Sequence, residues 1–144
     1  MRIIAGSRKG ARIFAPKGET RPTGDRVREA AFNLIGPVDD VAVLDLFAGS
    51  GAMGLEALSR GASSVVFVES DRDAQRTIER NLEKLGLKGA RIGKSDARRA
   101  LAAEAAAGRR YDLVLVDPPY RMLDSVLPTL STYLPSLLAE DGIV

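Results

Sequence analysis

The 144-residue sequence contains neither cysteine nor histidine. Disulfides, thiolate nucleophiles, Ser-His-Asp triads and the usual zinc ligands are therefore excluded. Long apolar runs are missing as well: the first five residues form no signal-like apolar region, and no run approaches the ~18 residues of a membrane span. These absences predict a soluble, cytoplasmic protein whose chemistry rests on carboxylates, amides, hydroxyls, the backbone and a cofactor.

Acidic residues are scarce at the beginning of the chain. Residues 1 to 28 hold eight basic residues and two acids, a net charge of +6, whereas the remainder carries −4. The basic residues are Arg2, Arg8, Lys9, Arg12, Lys17, Arg21, Arg26 and Arg28. This imbalance indicates a surface that contacts a polyanion, although a solvated, partly flexible terminus can have the same composition.

Hydrophobic residues make up 45% of the chain, enough for one α/β domain with a core. After residue 40, short apolar runs alternate with helical patterns, which is typical of βαβ units and a parallel sheet. Continuous apolar strands suit a sheet covered on both faces, in a three-layer αβα arrangement. The predicted strands are 42–47, 64–68, 90–93 and 111–116.

Helical spacing is clearest after the second predicted strand, where Gly86 is the expected stop. The residues that define this helix are Ala74, Ile78, Leu82 and Leu85, with Ser70 and Asp73 as a capping pair. Residues 96–107 predict a further helix closed by Gly108. Residues 123–139 are helical in pattern but interrupted by two prolines, Pro128 and Pro135.

The two ends of the chain differ from this alternating pattern. Residues 2–4 and 12–14 predict a small hairpin, 16–24 a loop, and a helix begins near Asp25 and ends at Gly36. The residues that share one face of that helix are Val27, Ala30, Ala31 and Leu34. At the other end, Gly142 introduces a turn into a fifth strand, and the abrupt stop suggests a fragment of a longer domain. We divide the chain into a basic extension, 1–24, and a main domain, 25–144.

A glycine-rich loop follows the first predicted strand. Gly49, Gly51 and Gly54 match G-x-G-x-x-G and open a helix, and Glu69 lies at the tip of the next strand, where a carboxylate accepts the hydroxyl hydrogens of a ribose. Together they predict an adenosine-containing cofactor. Asp45 would repel a pyrophosphate but balance the ammonium of S-adenosylmethionine. On this loop alone, a dinucleotide and S-adenosylmethionine remain equal alternatives. A third alternative is a loop that only turns the chain and binds no cofactor.

Asp117, Pro118, Pro119 and Tyr120 follow the fourth predicted strand, at the edge where open α/β sheets bind ligands. The Asp117 carboxylate and the Pro118 carbonyl can hold both N–H groups of a planar amine while Tyr120 stacks on its ring. The prolines donate no N–H and keep the turn stiff with free carbonyls. This pattern predicts transfer of a methyl group to a nucleic-acid base, with positioning and electrostatics supplying the rate. A Pro-Pro turn with an aromatic cover is the alternative.

Three segments carry a resemblance to a known family: 45–61 (DLFAGSGAMGLEALSRG), 117–120 (DPPY) and 21–29 (RPTGDRVRE). Together they resemble the bacterial S-adenosylmethionine-dependent methyltransferases that modify the N2 amine of guanine in small-subunit (16S) ribosomal RNA. The DPPY type of motif is shared with adenine-N6 DNA methyltransferases and glutamine methyltransferases. It therefore indicates amine methylation, and the Arg-Pro-Thr segment narrows it to the ribosomal RNA group.

The resemblance implies a Rossmann-like methyltransferase fold and an N-terminal hairpin that helps to hold RNA. The cofactor contacts predicted from residues and resemblance together are Thr23, Asp45, Phe47, Gly49, Gly51, Glu69 and Asp96. The predicted RNA contacts are Arg8, Lys9, Arg12 and Arg21. Gly24 departs from the family pattern, which has a second threonine there, and the family continues beyond the point where this chain stops.

Ribosomal RNA or the assembling small subunit is the expected partner of a monomer that uses neither a metal nor a membrane. The rival enzyme is an adenine-N6 DNA methyltransferase, which needs a target-recognition insertion that the sequence lacks, although base flipping is common to both. A cofactor- and RNA-binding fragment without turnover is the rival from another class. A nicotinamide oxidoreductase has no use for the segment from Asp117 to Tyr120.

Overall fold

A computed structural model describes residues 1–15 and 24–143 of the chain. In this part of the chain, five parallel strands form one sheet in the order β3-β2-β1-β4-β5. The strands are β1 (Ala42–Leu46), β2 (Ser64–Val68), β3 (Ala90–Gly93), β4 (Tyr111–Val116) and β5 (Leu138–Ile143). The helices are α1 (Asp25–Ile35), α2 (Ala52–Ser59), α3 (Arg72–Leu85), α4 (Ala97–Ala106) and α5 (Leu123–Leu137).

Helices cover both faces of the sheet, so the predicted three-layer αβα fold is confirmed. Strand residues alternate between two apolar cores: Val43 and Phe67 pack in a core with Leu55 and Ile78 of α2 and α3. The intervening residues pack with α4 and α5 in a second core. Because both faces are buried, the strands are apolar almost throughout, and the four strands predicted from that character are found where expected.

The strand register brings three chain segments to one edge of the sheet. Leu46 of β1 pairs with Val68 of β2 on one side and with Val116 of β4 on the other. The residues that follow these three strands therefore lie together at the carboxyl edge. Because β2 lies on one side of β1 and β4 on the other, the strand order changes direction at this point. This is the topological switch point at which open α/β sheets bind ligands.

Helix α3 begins one residue away from the predicted cap. The side chain of Asp71, rather than Ser70, accepts the backbone N–H of Ala74 at 2.9 Å, so the predicted pairing of Ser70 with Asp73 is wrong. The predicted stop is confirmed, because Gly86 adopts a left-handed conformation (φ 62°) that glycine tolerates.

Helix α5 runs without a break through Pro128 and Pro135, so the predicted interruption is wrong. Both prolines lie on the exposed side of the helix. The carbonyl groups that lose an N–H partner there can be hydrated, which lowers the cost of an internal proline. The fifth strand also begins earlier than expected, at Leu138 directly after α5, and pairs irregularly with β4.

The N-terminal segment forms a minimal hairpin with one antiparallel bridge, between Arg2 and Arg12. Ile3 and Ile13 of this segment are buried in the same core as Val43 of β1. The predicted loop 16–24 lies, apart from its last residue, outside the described residues. No helix in the part of the chain that the structure describes is long and apolar enough to cross a membrane.

Helix α1 does not bury the face that its apolar spacing suggests. Val27 is 63% exposed and Leu34 90% exposed, whereas Arg28 and Phe32 are buried. Arg28 is drawn inward because it forms ion pairs with Asp25 and with the buried Glu56 of α2. A buried charge needs such partners, and this tertiary requirement overrides the local pattern.

Candidate active site

The glycine loop leaves β1 through a series of positive backbone angles. Phe47 has φ 56°, Gly49 59° and Gly51 80°. The turn is closed by two backbone hydrogen bonds, from Ala48 N to the Val68 oxygen at 3.0 Å and from Gly51 N to the Ala48 oxygen at 2.8 Å. A positive φ is unusual at a residue with a bulky side chain, so Phe47 is held there by its surroundings.

The third glycine of the loop has a packing role. A Cβ atom on Gly54 would lie 2.3 Å from the Phe67 ring and 2.9 Å from a Val65 methyl group. Helix α2 can therefore approach β2 this closely only with glycine at residue 54. The approach places the N-terminus of α2 beside the carboxyl end of β1.

Glu69 joins the tip of β2 to the glycine loop. One carboxylate oxygen accepts the Gly49 N–H at 2.8 Å, and the other accepts the Asp71 N–H at 2.9 Å. A carboxylate has about four lone-pair positions, so each oxygen keeps a free one for a ligand. Glu69 can thus hold the loop in shape and still accept hydroxyl hydrogens, as predicted for a ribose.

Asp45 is the buried acid of the site. Its side chain accepts the Gly54 N–H at 3.1 Å, and the residue is 4% exposed. Burial raises its pKa to about 7, the Gly54 hydrogen bond opposes that rise, and the charges of Asp117 and Glu69 add to it. A buried carboxylate with two further carboxylates close enough to raise its pKa suits a cationic ligand and opposes a pyrophosphate.

The turn after β4 is more open than the glycine loop. Asp117 and Pro119 are exposed, and the backbone carbonyl of Pro119 accepts the Met122 N–H at 2.8 Å. The prediction that both proline carbonyls stay free is therefore wrong for Pro119, which starts a short 3₁₀ turn, Tyr120–Met122. The Tyr120 side chain lies outside the described part of the structure, so its stacking role stays a prediction.

The remaining predicted cofactor residues are placed less directly. Asp96 follows β3 and caps α4, because its side chain accepts the Arg99 N–H at 2.9 Å. The end of β3 is on the same sheet edge as the glycine loop, and the adenine contact of Asp96 stays a prediction. Thr23 lies outside the described residues.

The predicted RNA contacts that the structure describes differ in exposure. Lys9 and Arg12 are exposed and free to meet a partner. Arg8 is half-buried, and its guanidinium donates to the carbonyl of Leu85 at the end of α3. Arg21 lies outside the described residues. Arg28, counted in the basic end of the sequence, is fully buried, so its inclusion in a polyanion-binding surface is wrong.

Asn81 of α3 was not singled out from the sequence. Its buried amide exchanges hydrogen bonds with the backbone of Phe14, at 2.7 and 3.0 Å, and also donates to the Ser50 carbonyl at 3.2 Å. Asn81 therefore ties the N-terminal segment to the glycine loop. A signal was available, since a polar residue at helical spacing from Ile78 and Leu85 indicates a buried amide with a specific partner.

Glu56 of α2 was missed as well. Its fully buried carboxylate accepts the backbone N–H groups of Ile4 and Ala5, at 2.8 and 3.0 Å, and pairs with Arg60 at 2.8 Å. Glu56 and Asn81 are thus among the residues that fix the N-terminal segment to the main domain. Partners this far apart in sequence give no local pattern that could reveal them.

Comparison with protein families finds a model described as Conserved hypothetical protein 95, which matches residues 1–144. A protein of Bacillus subtilis (strain 168), Putative rRNA methyltransferase YlbH, is 44% identical over 100% of this chain and 80% of its own length. Ribosomal RNA small subunit methyltransferase D of Escherichia coli (strain K12) is 44% identical over 84% of this chain. That alignment spans 61% of the E. coli relative, less than two thirds of its length.

Solved structures share the fold. The protein described as Putative methyltransferase yhhF from Escherichia coli superimposes with a TM-score of 0.82 and 38% identity, covering 97% of this chain and 75% of that one. A SAM Dependent Methyltransferase from Agrobacterium tumefaciens gives a TM-score of 0.71 and 25% identity, covering 86% of this chain and 43% of that one. The sheet is therefore of the Rossmann-like methyltransferase type.

Proposed function

The chain belongs to the family described as Conserved hypothetical protein 95, and we propose that it is an S-adenosylmethionine-dependent ribosomal RNA methyltransferase, because the two relatives described above carry rRNA methyltransferase in their names. The finer proposal is that it methylates the exocyclic N2 amine of a guanine in small-subunit ribosomal RNA. The E. coli relative carries the small subunit in its name. The guanine N2 specificity rests on the resemblance of residues 21–29 to enzymes with that target, since residues 117–120 indicate amine methylation in general.

The cluster of three carboxylates at the switch point is the observation that carries the proposal. Asp45 is buried with a pKa near 7, and the charges of Asp117 and Glu69 help to raise it. A cationic ligand relieves this repulsion, whereas a pyrophosphate would add to it. The site therefore fits the ammonium and sulfonium groups of S-adenosylmethionine better than a nicotinamide dinucleotide.

When bound, S-adenosylmethionine supplies an electrophilic methyl group with a neutral thioether as its leaving group. In our proposal Glu69 accepts hydrogen bonds from the ribose hydroxyls while it holds Gly49, and the Asp45 carboxylate balances the ammonium. The buried location of Asp45 strengthens that charge interaction because little water screens it. These residues fix the direction from which a substrate amine must approach.

Asp117 and the Pro118 carbonyl position that amine. The lone pair of an exocyclic amine is delocalised into the base, so the nitrogen is a weak nucleophile. Two acceptors that hold its two N–H groups direct the nitrogen lone pair at the methyl carbon. The N–H becomes strongly acidic only after the new N–C bond has formed, so Asp117 positions the amine and the proton then leaves to water.

Product analysis tests the proposal. The chain is incubated with S-adenosylmethionine carrying a deuterated methyl group and with undermodified small ribosomal subunits, naked ribosomal RNA or DNA, and the nucleic acid is digested for mass spectrometry. We expect labelled N2-methylguanosine from the ribosomal samples. Label confined to N6-methyladenine would overturn the guanine assignment, and label confined to DNA would overturn the RNA assignment.

Calorimetric titration provides the cofactor control. The chain is titrated separately with S-adenosylmethionine and with NAD under identical conditions. We expect binding of S-adenosylmethionine, and a preference for NAD would contradict the cofactor assignment independently of any substrate.

A further inference from the structure

Helix α3 carries four basic residues at an unbroken four-residue spacing: Arg72, Arg76, Arg80 and Lys84. All four side chains are exposed. Residues four apart lie one above the other on a helix, so the four charges form a stripe along α3. Like charges at this spacing destabilise a helix, so helix stability does not explain the pattern.

Few carboxylates neutralise this stripe. Arg76 faces Asp73 at 3.5 Å, but both side chains are largely exposed, at 72% and 63%, so the interaction is weak. The nearby Glu79 pairs with Lys94 instead, at 2.9 Å. Across residues 1–15 and 24–143, neither Arg80 nor Lys84 forms an ion pair with a carboxylate. Glu83 is another exposed acid of α3, and in the part of the chain that the structure describes it forms no ion pair with the stripe.

The N-terminal segment extends the stripe at its far end. Phe14 is 38% exposed, and its ring centre lies 4.2 Å from the Arg80 guanidinium carbon and 5.0 Å from the Lys84 nitrogen. Lys84 also donates to the carbonyl of Arg12 at 2.7 Å, and the Arg12 side chain is exposed. An aromatic ring among cations is the surface chemistry that nucleic acids select, through phosphate attraction and base stacking.

The stripe is anchored to the proposed catalytic site at both ends. At its beginning, the backbone N–H of Asp71, next to Arg72, donates to Glu69. Near its end, Asn81 binds both the Phe14 backbone and the Ser50 carbonyl of the glycine loop. A phosphate chain that lies on α3 would therefore be held at a fixed distance from the carboxyl edge of the sheet.

We propose that Arg76, Arg80, Lys84 and Arg12, with the Phe14 ring beside them, form a surface that binds backbone phosphates of the RNA substrate. This inference rests on the proposed function, because it takes the substrate to be RNA. It adds α3 to the RNA-binding residues predicted in the N-terminal hairpin. The exposed cations of α4, on the opposite face of the sheet, have no part in it.

The test compares two double variants with the same loss of charge. Arg80→Gln with Lys84→Gln removes two cations from the stripe. Arg98→Gln with Arg110→Gln removes two exposed cations that are distant from the stripe. Arg98 lies on α4, and Arg110 directly precedes β4. Binding of a ribosomal RNA fragment is measured between about 50 and 200 mM salt, and S-adenosylmethionine affinity is measured in parallel.

We expect the stripe variant to bind RNA at least tenfold more weakly. The plot of log K against log salt concentration should become less steep, its slope falling in magnitude by about one to two, since each lost phosphate contact removes about 0.7 to 0.9. The control variant should keep the wild-type slope, and both should keep wild-type cofactor affinity. An equal fall in both variants, or no fall in either, would overturn the proposal.

A charge-preserving variant separates direct contact from a structural role. Arg80→Lys with Lys84→Arg keeps two cations and should restore RNA affinity to within about threefold and the full salt slope. If RNA affinity were not restored, the two residues would act by holding the Phe14 ring in place, and the proposed contact with phosphate would be contradicted. Absence of methyl transfer by the wild-type chain would instead count against the proposed function, because the RNA-binding comparison does not depend on turnover.

Discussion

The two sides of the switch point are built differently. On the β1 and β2 side, Asp45 and Glu69 each accept backbone N–H groups, and Asp45 is buried. On the β4 side, Asp117 is exposed and, in the described part of the chain, its carboxylate accepts no hydrogen bond. One side is assembled by the fold itself, whereas the other keeps its acceptor available for a partner.

This difference predicts that substitutions on the two sides have different effects. A carboxylate that also shapes a loop cannot be removed without disturbing that loop, so substitutions beside the glycine loop should mix stability with ligand affinity. A carboxylate that accepts no hydrogen bond in the free protein should affect the reaction far more than the stability. Three measurements test this distinction.

The largest effect is expected from Asp117→Ala. Loss of the acceptor that we propose positions the amine should lower the rate of methyl transfer by about a thousandfold, the scale at which a single positioned hydrogen-bonding group acts. The affinity for S-adenosylmethionine should stay within about tenfold of wild type, and the melting temperature should be unchanged. Single-turnover transfer, calorimetry and thermal melting measure the three quantities.

Asp124→Ala is the matched control for this variant, because Asp124 is an exposed acid in the first turn of α5. It should leave all three quantities at wild-type values. A large loss of cofactor affinity in Asp117→Ala would place Asp117 on the cofactor side and remove the distinction between the two sides.

The next effect is expected from Glu69→Ala. This change leaves the N–H groups of Gly49 and Asp71 without their acceptor and removes the proposed ribose contact. Cofactor affinity should fall by about a hundredfold, and the free energy of unfolding by about 1–3 kcal/mol, the cost of unsatisfied polar groups. Calorimetry and urea denaturation measure the pair of effects.

Glu69→Gln separates these two roles. The amide keeps one acceptor oxygen for the loop but loses the charge, so stability should recover more than cofactor affinity does. Full cofactor affinity in Glu69→Ala, together with reduced stability, would leave Glu69 as a purely structural residue and would contradict its ribose role.

Much of the fold could be predicted because its signals are local. Strands buried on both faces are apolar throughout, and Gly86 marks the end of α3 by a conformation that glycine favours. The inward face of α1 could not be predicted, because Arg28 is buried by Glu56, which lies 28 residues away. A local pattern contains no information about such a partner.

The candidate site also has features that the sequence predicts and features that it does not. Its residues at the carboxyl edge were predictable from motif spacing and strand order. The engagement of the Pro119 carbonyl and the raised pKa of Asp45 were not, because they depend on the turn conformation and on burial. The spacing of Asn81 indicates a buried amide, but its hydrogen-bond partners, the backbone of Phe14 and the carbonyl of Ser50, lie in two segments distant in sequence and could not be predicted.

The smallest effect concerns pH and links the two sides through Asp45. Burial raises the pKa of Asp45 from 3.8 to about 7, so the folded protein holds a proton there that the unfolded chain releases. Between pH 4 and 7 the stability of the cofactor-free protein should therefore fall as pH rises, as far as this residue contributes. Thermal melts across that window should show the slope, and Asp45→Asn should remove it.

Cofactor affinity should change in the opposite direction over the same window. If the ionised Asp45 binds the ammonium, affinity should increase up to about tenfold per pH unit between pH 5 and 7, with uptake of a proton on release of the cofactor. Asp117→Ala removes one of the charges that raise the pKa of Asp45, so the midpoint of this profile should move to lower pH. An unmoved midpoint in Asp117→Ala would mean that the two sides act independently, and a flat profile in the wild type would contradict the pairing of Asp45 with the ammonium.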